Sequence, residues 1–399
     1  MKLLHTADLH LDSPYRGVGT LPNHIAERLK GSGFRVLDQL VDIAMSERVD
    51  AVVVAGDVYD RDTRTLRAEL QFRRMCSRLN AEGIPVFVAH GNHDFLQGIT
   101  HGLEFPEQTY LFSGEVTEFV VTTKSGEKLS VQGFSYEERH RKAAPVQSFL
   151  RTGHADVYVG VLHGSATGPS DHERYASFSV EDLVACQLDY WALGHIHKAA
   201  TLWEQPPIIY PGIPQGRHKQ EAGEKGIIIA EWTATGVTVR AVRTDDITWT
   251  TKQWRVNETD RFEHVIDDLL SWKQEIRQKE RGQLVSLRLV LPENFVFTEE
   301  ERYVVLEHLQ SEEHERDDFV WVYEVMYEAD GANNSPLTDG DPLSNLLIDA
   351  MNSSVPDALF RPLFTVRGQA SLSSFSREEL EEITSHAKQL LTSYQMKRG

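Results

Sequence analysis

The chain has 399 residues, a formal net charge of −19 and a hydrophobic content of 40%. That length suggests two or three domains, and the apolar content suffices for globular cores. The acidic balance argues against a simple DNA-binding module, which would be basic. Residues 251–399 carry 28 Asp or Glu against 16 Lys or Arg, so contact with nucleic acid should be local and metal-assisted, or supplied by a partner.

In chain order, residues 1–8 read as the first strand, with Leu3-Leu4 leading into Asp8-Leu9-His10. A loop with Pro14, Gly17, Gly19 and Pro22 follows, and His24 there reads as a surface residue. Phe34, Leu37, Leu40, Val41 and Ala44 recur at helical spacing and predict a helix packed on a sheet. Ala51 to Ala55 is the second expected strand and delivers Asp57. The next helix is expected over about 63–80, with Phe72, Met75, Cys76 and Leu79 on its core side. Its other side carries Arg64, Arg67, Arg74 and Arg78. That side is either a solvated face or a rail for a DNA backbone, since arginine pairs well with phosphate.

Pro85 to Ala89 reads as a third strand, followed by His90, a structural residue in this reading. Val116 to Thr122 and Lys128 to Phe134 flank Ser125-Gly126 as a hairpin. Arg139, Arg141 and Lys142 form a second basic patch beside His140. Val157 to Leu162 is a strand ending at His163, and His172 falls in the following loop. Tyr190 to Leu193 delivers Gly194-His195-Ile196-His197. Pro206 to Gly212, Gly226 to Trp232 and Val237 to Val242 read as further strands, with Arg217-His218-Lys219 in a loop between the first two.

The first domain is expected to span 1–250. A small α+β cap over 251–330 is expected from a helix at Phe262 to Leu270, a strand at Leu284 to Leu291, a helix opened by Thr298 and Glu301 as a capping box, and a strand at Phe319 to Tyr327. Residues 331–399 read as a linker and helices at about 342–352 and 377–396, the second with Leu380, Ile383, Ala387, Leu390, Leu391 and Tyr394 along one face. Cys76 and Cys186 lie outside the motifs and suggest a reducing compartment. No signal peptide and no run of 18 apolar residues is evident, so the expectation is a soluble, cytoplasmic protein without membrane contact.

Five short stretches share one grammar: Asp8-Leu9-His10, Gly56-Asp57-Val58-Tyr59-Asp60, Gly91-Asn92-His93-Asp94, His163-Gly164 and Gly194-His195-Ile196-His197. Each follows an apolar run and so falls where a strand of an open α/β sheet ends, the place where such sheets bind ligands. Carboxylate, amide and imidazole donors without cysteine suit a divalent first-row metal better than a closed structural zinc site. There are too many donors for one ion. Two ions sharing a bridging carboxylate would use them all, and two-metal sites drive phosphoryl hydrolysis.

This ordered set resembles the calcineurin-like metallophosphoesterase superfamily. Leu3 to Leu11, Gly194 to Lys198, Tyr210-Pro211-Gly212-Ile213-Pro214-Gln215 and Gly223-Glu224-Lys225-Gly226 narrow it to the SbcD/YhaO-like DNA-repair exonuclease branch. The resemblance is dense over 1–232 and is one of general layout beyond. It implies a four-layer αββα sandwich with a small α+β cap and a C-terminal helical segment. It implies that Asp8, His10 and His197 hold one ion, that Asn92, His163 and His195 hold another, and that Asp57 bridges them. Manganese is the ion this branch typically uses; iron, zinc and magnesium stay open. His93 would be the acid for the departing oxygen, with Asp94 orienting it. Asp60, where some relatives place a histidine, reads as structural or supporting. DNA, an SbcC-like coiled-coil ATPase gripped by the C-terminal helices, and a second copy of the chain are the implied partners. Arg64, Arg67, Arg74, Arg78, Arg217 and Lys219 are the candidate DNA contacts. The alternatives are a small-molecule phosphodiesterase or phosphomonoesterase, and a mainly scaffolding subunit for the ATPase.

Overall fold

A computed structural model describes residues 1–15, 17–60, 64–97, 102–166, 175–292 and 295–330. The chain opens with β1 (Lys2–Thr6), α1 (Asn23–Glu47), β2 (Ala51–Ala55), α2 (Leu66–Ala81), β3 (Val86–Ala89) and β4 (Thr109–Leu111). It continues through β5 (Thr117–Thr122), β6 (Lys128–Gly133), β7 (Val157–His163), α3 (Val180–Ala185) and β8 (Tyr190–Gly194). Then come β9 (Ala200–Glu204), β10 (Pro207–Tyr210), β11 (Gly226–Thr233) and β12 (Gly236–Arg243). The cap adds β13 (Ile247–Arg255), α4 (Phe262–Ile276), β14 (Gly282–Leu291), α5 (Glu299–Gln310) and β15 (Val320–Ala329).

Two six-stranded sheets face each other, one ordered β12-β11-β1-β2-β3-β4 and the other β5-β6-β7-β8-β10-β9. Their central strands pair in parallel, β1 with β2, β2 with β3, β6 with β7 and β7 with β8. Parallel strands covered on both faces need near-continuous apolar sequence, and β2, Ala-Val-Val-Val-Ala, is buried throughout. Alternate residues divide between two cores. Val52 and Val54 pack outward with Leu37, Leu40, Phe72 and Met75 of α1 and α2. Leu3, Val53, Phe87, Val131, Val159 and Tyr190 fill the space between the sheets. The outer face of the second sheet is covered by Phe134, Phe149, Leu183, Trp191 and their neighbours. The fourth layer of the expected sandwich is therefore thin: its described helix is the six-residue α3, and the rest is irregular chain.

The cap is a parallel three-stranded sheet, β13-β14-β15, with α4 and α5 on one face. Its first strand starts at Ile247, so the expected boundary at 250 cuts through β13, which pairs with β14 over its whole length. Thr244-Asp245-Asp246 is the turn that separates this strand from the preceding one. The capping box at Thr298 and Glu301 is present. Ile247, Trp249, Leu284, Phe319 and Trp321 pack against Ile25 and Leu29 of α1, and residues 1–329 form one compact unit. The helices expected at 342–352 and 377–396 lie outside the described residues, as does His172. No described helix is long and apolar enough to cross a membrane.

Glu313 organises the cap's charge. Its carboxylate accepts from Lys273 Nζ at 2.8 Å, Arg277 Nη2 at 2.6 Å and the Val320 amide at 2.8 Å. Burial alone would raise its pKa, but these donors hold it below the ordinary glutamate value. A depressed folded pKa contributes stability above the unfolded value, which is lost as pH falls through the folded one. Glu313→Ala leaves Lys273 buried without its anion, and the expected loss in a urea titration at pH 7 is roughly 3–5 kcal/mol. The gap between wild type and variant should narrow below about pH 4.3, the free glutamate value.

Candidate metal centre

The five motifs sit at the ends of β1, β2, β3, β7 and β8, so the candidate ligands come from both sheets. The backbone is bent sharply there. Asp8 (φ 53°), His10 (φ 40°), Asp57 (φ 50°) and His195 (φ 98°) all adopt positive φ although none is glycine. Such residues cost roughly 1–3 kcal/mol each and persist where their surroundings enforce them. Here Asp8 N–H donates to Gly56 O, His10 N–H to Asp57 O and Leu11 N–H to Val58 O, at 2.9–3.0 Å, which ties the first two motifs together.

Close approach needs glycine at two further points. A Cβ at Gly194 would lie 1.8 Å from the carbonyl oxygen of Ala55, and one at Gly91 would lie 2.2 Å from Asp57 Oδ1. The missing side chains let β8 and the β3 loop close onto β2.

All seven predicted ligands converge. Asp57 Oδ2 lies 3.3 Å from His163 Nε2 and 3.7 Å from His10 Nε2. His10 Nε2 lies 3.3 Å from His197 Nε2. Asn92 Oδ1 is 3.1 Å from both His163 Nε2 and His195 Nδ1. Asp8 accepts the His195 amide at 3.0 Å. Asp8, His10 and His197 form one compact donor group and Asp8, Asp57 and His163 another.

Ring tautomers follow from the partners of the opposite nitrogens. His163 Nδ1–H donates to Ala55 O at 2.9 Å, and His197 Nδ1–H donates to Glu221 Oε1 at 2.7 Å. Each leaves its Nε2 lone pair facing the centre. Lone pairs and carboxylate oxygens at these distances repel unless a proton or a cation lies among them. The pKa shifts differ across the set. Burial raises Asp8 to about 6. Burial would lower His163, yet Asp57 and Asp8 push it up to about 9. Burial takes His195 down to about 3. The carboxylate, amide and imidazole donors of the set fit divalent cations.

The His93 ring borders the ligand set: its centroid is 5.1 Å from that of His10, and His10, Asp60 and His93 form a third compact donor group. The His93 amide donates to Asp57 Oδ1 at 3.0 Å, while its ring, with 35% of the side chain exposed, reaches the site mouth. The expected partner for that ring was Asp94. Asp94 instead turns back, accepting from the amides of Gly91 at 2.7 Å and Val58 at 2.9 Å and from His90 Nδ1 at 3.1 Å. It closes the turn and is not available to His93. The carboxylate facing the ring is Asp60, 3.4 Å from His93 Nδ1 and itself held by Ser13 Oγ at 3.0 Å. His90 has the structural place expected of it.

The helix expected over about 63–80 starts at Leu66, so Arg64 precedes it, and the four arginines do not form an open row. Arg64 pairs with Glu69 at 2.6 Å, and Arg78 pairs with Asp38 and Asp42 of α1 at 2.6 and 3.2 Å. Arg67 lies over the Phe34 ring, and Arg74 is exposed. Arg217 is close to the centre, with Nη2 3.4 Å from His197 Nδ1 and from Glu221 Oε1. Lys219 lies in the 3-10 turn Lys219–Glu221. In the second basic patch Arg141 is engaged by Gly114 O at 2.8 Å, whereas Arg139 and Lys142 are exposed. His140 stacks on Tyr175, whose ring is 5.3 Å from that of His195.

Glu221 was not anticipated. It lies 24 positions after His197 in a loop, and no local spacing rule connects a glutamate there to a histidine on β8's end. The one signal was that it falls between the Tyr210 to Gln215 and Gly223 to Gly226 stretches already tied to the site's family.

Residues 1–199 match the family described as calcineurin-like phosphoesterase. The chain is 34% identical over 403 residues to the metallophosphoesterase YhaO of Bacillus subtilis, covering 98% of this chain and 97% of that one. It is 30% identical over 227 residues to the DNA double-strand break repair protein Mre11 of Aeropyrum pernix, 53% of either chain. It is 24% identical over 260 residues to SbcD, a component of the nuclease SbcCD of Escherichia coli K12, covering 56% of this chain and 63% of SbcD. A donor-rich centre at the strand ends, a matching family over the first 199 residues and a near-full-length relative together make this chain a member of the calcineurin-like metallophosphoesterases, metal-dependent hydrolases with a dinuclear site.

Proposed function

We propose that this chain is a two-metal DNA phosphodiesterase, the exonuclease subunit of a cytoplasmic repair complex with a coiled-coil ATPase. The observation that carries the reading is Asp57 Oδ2, placed between His10 Nε2 at 3.7 Å and His163 Nε2 at 3.3 Å, so that one carboxylate faces both donor groups. Asp8, His10 and His197 would hold one ion, Asn92, His163 and His195 the other, and Asp57 both. Four imidazoles with oxygen donors favour manganese, iron or zinc over magnesium, and manganese is the ion assigned here. Bound there, such ions supply the Lewis acidity that activates a water and offsets charge on the phosphate oxygens.

The chain's own residues do the rest. Glu221 keeps the His197 ring turned so that Nε2 faces the centre. Asp57 positions the His93 backbone through its amide, and Asp60 orients the His93 ring. His93 then delivers a proton to the departing sugar oxygen. Arg217, beside His197, is placed to pair with a phosphate flanking the scissile one. DNA is the substrate in this reading because two of the relatives are, by name, a nuclease component and a DNA break repair protein. A small ester would also leave the residues beyond the sandwich without a task. Leu66 and Leu70, exposed one turn apart on α2 at 46% and 45%, favour contact with a second copy over a phosphate rail on that helix.

Glu221→Gln is expected to weaken manganese binding about 10–100-fold, the usual effect of losing a carboxylate behind a ligand histidine. Isothermal titration of wild type and variant checks this. The function itself is tested with an end-labelled duplex and manganese, with and without the ATPase. Release of nucleotides from the ends supports the proposal. Cleavage confined to phosphomonoesters refutes it.

A further inference from the structure

His5 lies three residues before Asp8, is fully buried, and belongs to none of the ligand groups. Its strand neighbours Val53 and Ile228 belong to the apolar layer between the sheets, so the imidazole stands among hydrocarbon. Both ring nitrogens are bonded, and both partners belong to β8 in the opposite sheet. Nε2 is 3.0 Å from Leu193 O, and Nδ1 is 2.9 Å from Tyr190 Oη. A carbonyl only accepts, so Nε2 carries the hydrogen and Nδ1 accepts from the tyrosine hydroxyl. Burial takes His5 down to about 3 and pushes Tyr190 up, so the ring is neutral and the phenol keeps its proton.

The location gives this pair of bonds a purpose. Leu193 is followed directly by Gly194 and His195, and His5 is followed after two residues by Asp8. Between β1 and the end of β8 the next polar link is Asp8 itself, accepting the His195 amide at 3.0 Å, while His163 on β7 makes a separate link to Ala55 O of β2. Facing sheets packed by hydrocarbon alone slide at little cost, because dispersion and burial are not directional. A centre whose ligands come from both sheets needs that freedom removed.

We infer that His5 is a positioning residue for the metal centre: its Nε2–H bond to Leu193 O locks β1 to β8 and fixes Asp8 against His195. The inference rests on the two-metal reading for its consequence, but the lock exists in the metal-free chain and is measurable there. His5→Gln places an amide N–H where Nε2–H stood and keeps the Leu193 bond. His5→Asn is too short to reach Leu193 while still polar towards Tyr190. Tyr190→Phe removes only the other bond.

The experiment has two arms on the full chain. Hydrogen exchange of residues 190–197 without metal should rise about tenfold or more in His5→Asn and stay near wild type in His5→Gln and Tyr190→Phe. With manganese added, the spin-coupled spectrum of a manganese pair should be retained in His5→Gln and lost in His5→Asn, with binding of the weaker ion reduced about 10–100-fold. Wild-type exchange and spectrum in His5→Asn, with only a lower melting temperature, would overturn the inference by making His5 merely structural. Loss of both in His5→Gln would overturn it equally, and that arm decides if His5→Asn fails to fold. A wild type without a coupled spectrum speaks against two ions, whereas the exchange arm still decides the lock.

Discussion

Asp57→Asn is expected to lower manganese-dependent hydrolysis by at least about 10³-fold, equivalent to about 4 kcal/mol of transition-state stabilisation, with the fold intact. The asparagine has the same shape and can still accept the His93 amide, which Asp57 Oδ1 takes at 3.0 Å. What it lacks is the negative charge between His10 and His163. Burial alone would make Asp57 hard to ionise, yet His163 and His10 hold its carboxyl well below the usual range. Asp57 Oδ2 lies near both His163 and His10, and Asp8 is the carboxylate that the two compact donor groups share. Metal content after dialysis, measured by plasma emission beside the activity, should fall below two ions per chain.

Replacing His93 separates proton delivery from metal binding. His93→Gln should cut turnover on DNA by about 10²–10⁴-fold, the range for a lost general acid. Bis(p-nitrophenyl) phosphate, whose leaving group departs without a proton, should lose less than about tenfold, because the acid contributes little when the leaving group is already stable. Metal content should be unchanged, since the His93 ring is not among the seven converging ligands. Asp60→Asn should show the same split more weakly, as Asp60 acts through the ring it faces at 3.4 Å. Asp94→Asn should instead reduce stability, since Asp94 ties Gly91, Val58 and His90 together. Equal losses on both substrates in His93→Gln would remove it from the role of acid.

The parts of the molecule legible in the sequence were those carried by local pattern. Ala51 to Ala55 and Val157 to Leu162 are apolar runs leading into a polar ligand, and they form β2 and β7. Thr298 and Glu301 sit three apart before a helical repeat, and they cap α5. The illegible parts depend on where distant segments meet. Arg78 reads as free on its own helix because its partners, Asp38 and Asp42, are 40 and 36 residues away on α1. Adjacency in the chain suggests Asp94 as the support for His93. In a turn this tight, however, neighbouring side chains point apart, and the carboxylate that faces the ring comes from 33 residues earlier. Glu221 and His5 act across loop and sheet in the same way, with no periodic trace.

Four of the candidate ligands, Asp8, His10, Asp57 and His195, sit at positive φ. That strain is held by inter-motif hydrogen bonds and by glycines that permit contact. Bound cations would add stability to the arrangement by mass action, since the unfolded chain lacks the site.

The proposed activity is hydrolysis of phosphodiesters with two ions that Asp57 would hold in common. The direct test is manganese-dependent cleavage of bis(p-nitrophenyl) phosphate by the full chain, run beside Asp57→Asn and beside wild type stripped with a chelator. Turnover is expected in wild type alone, restored to the stripped protein by manganese and not restored to Asp57→Asn. Hydrolysis that persists in Asp57→Asn, or in the stripped protein, would contradict the proposal.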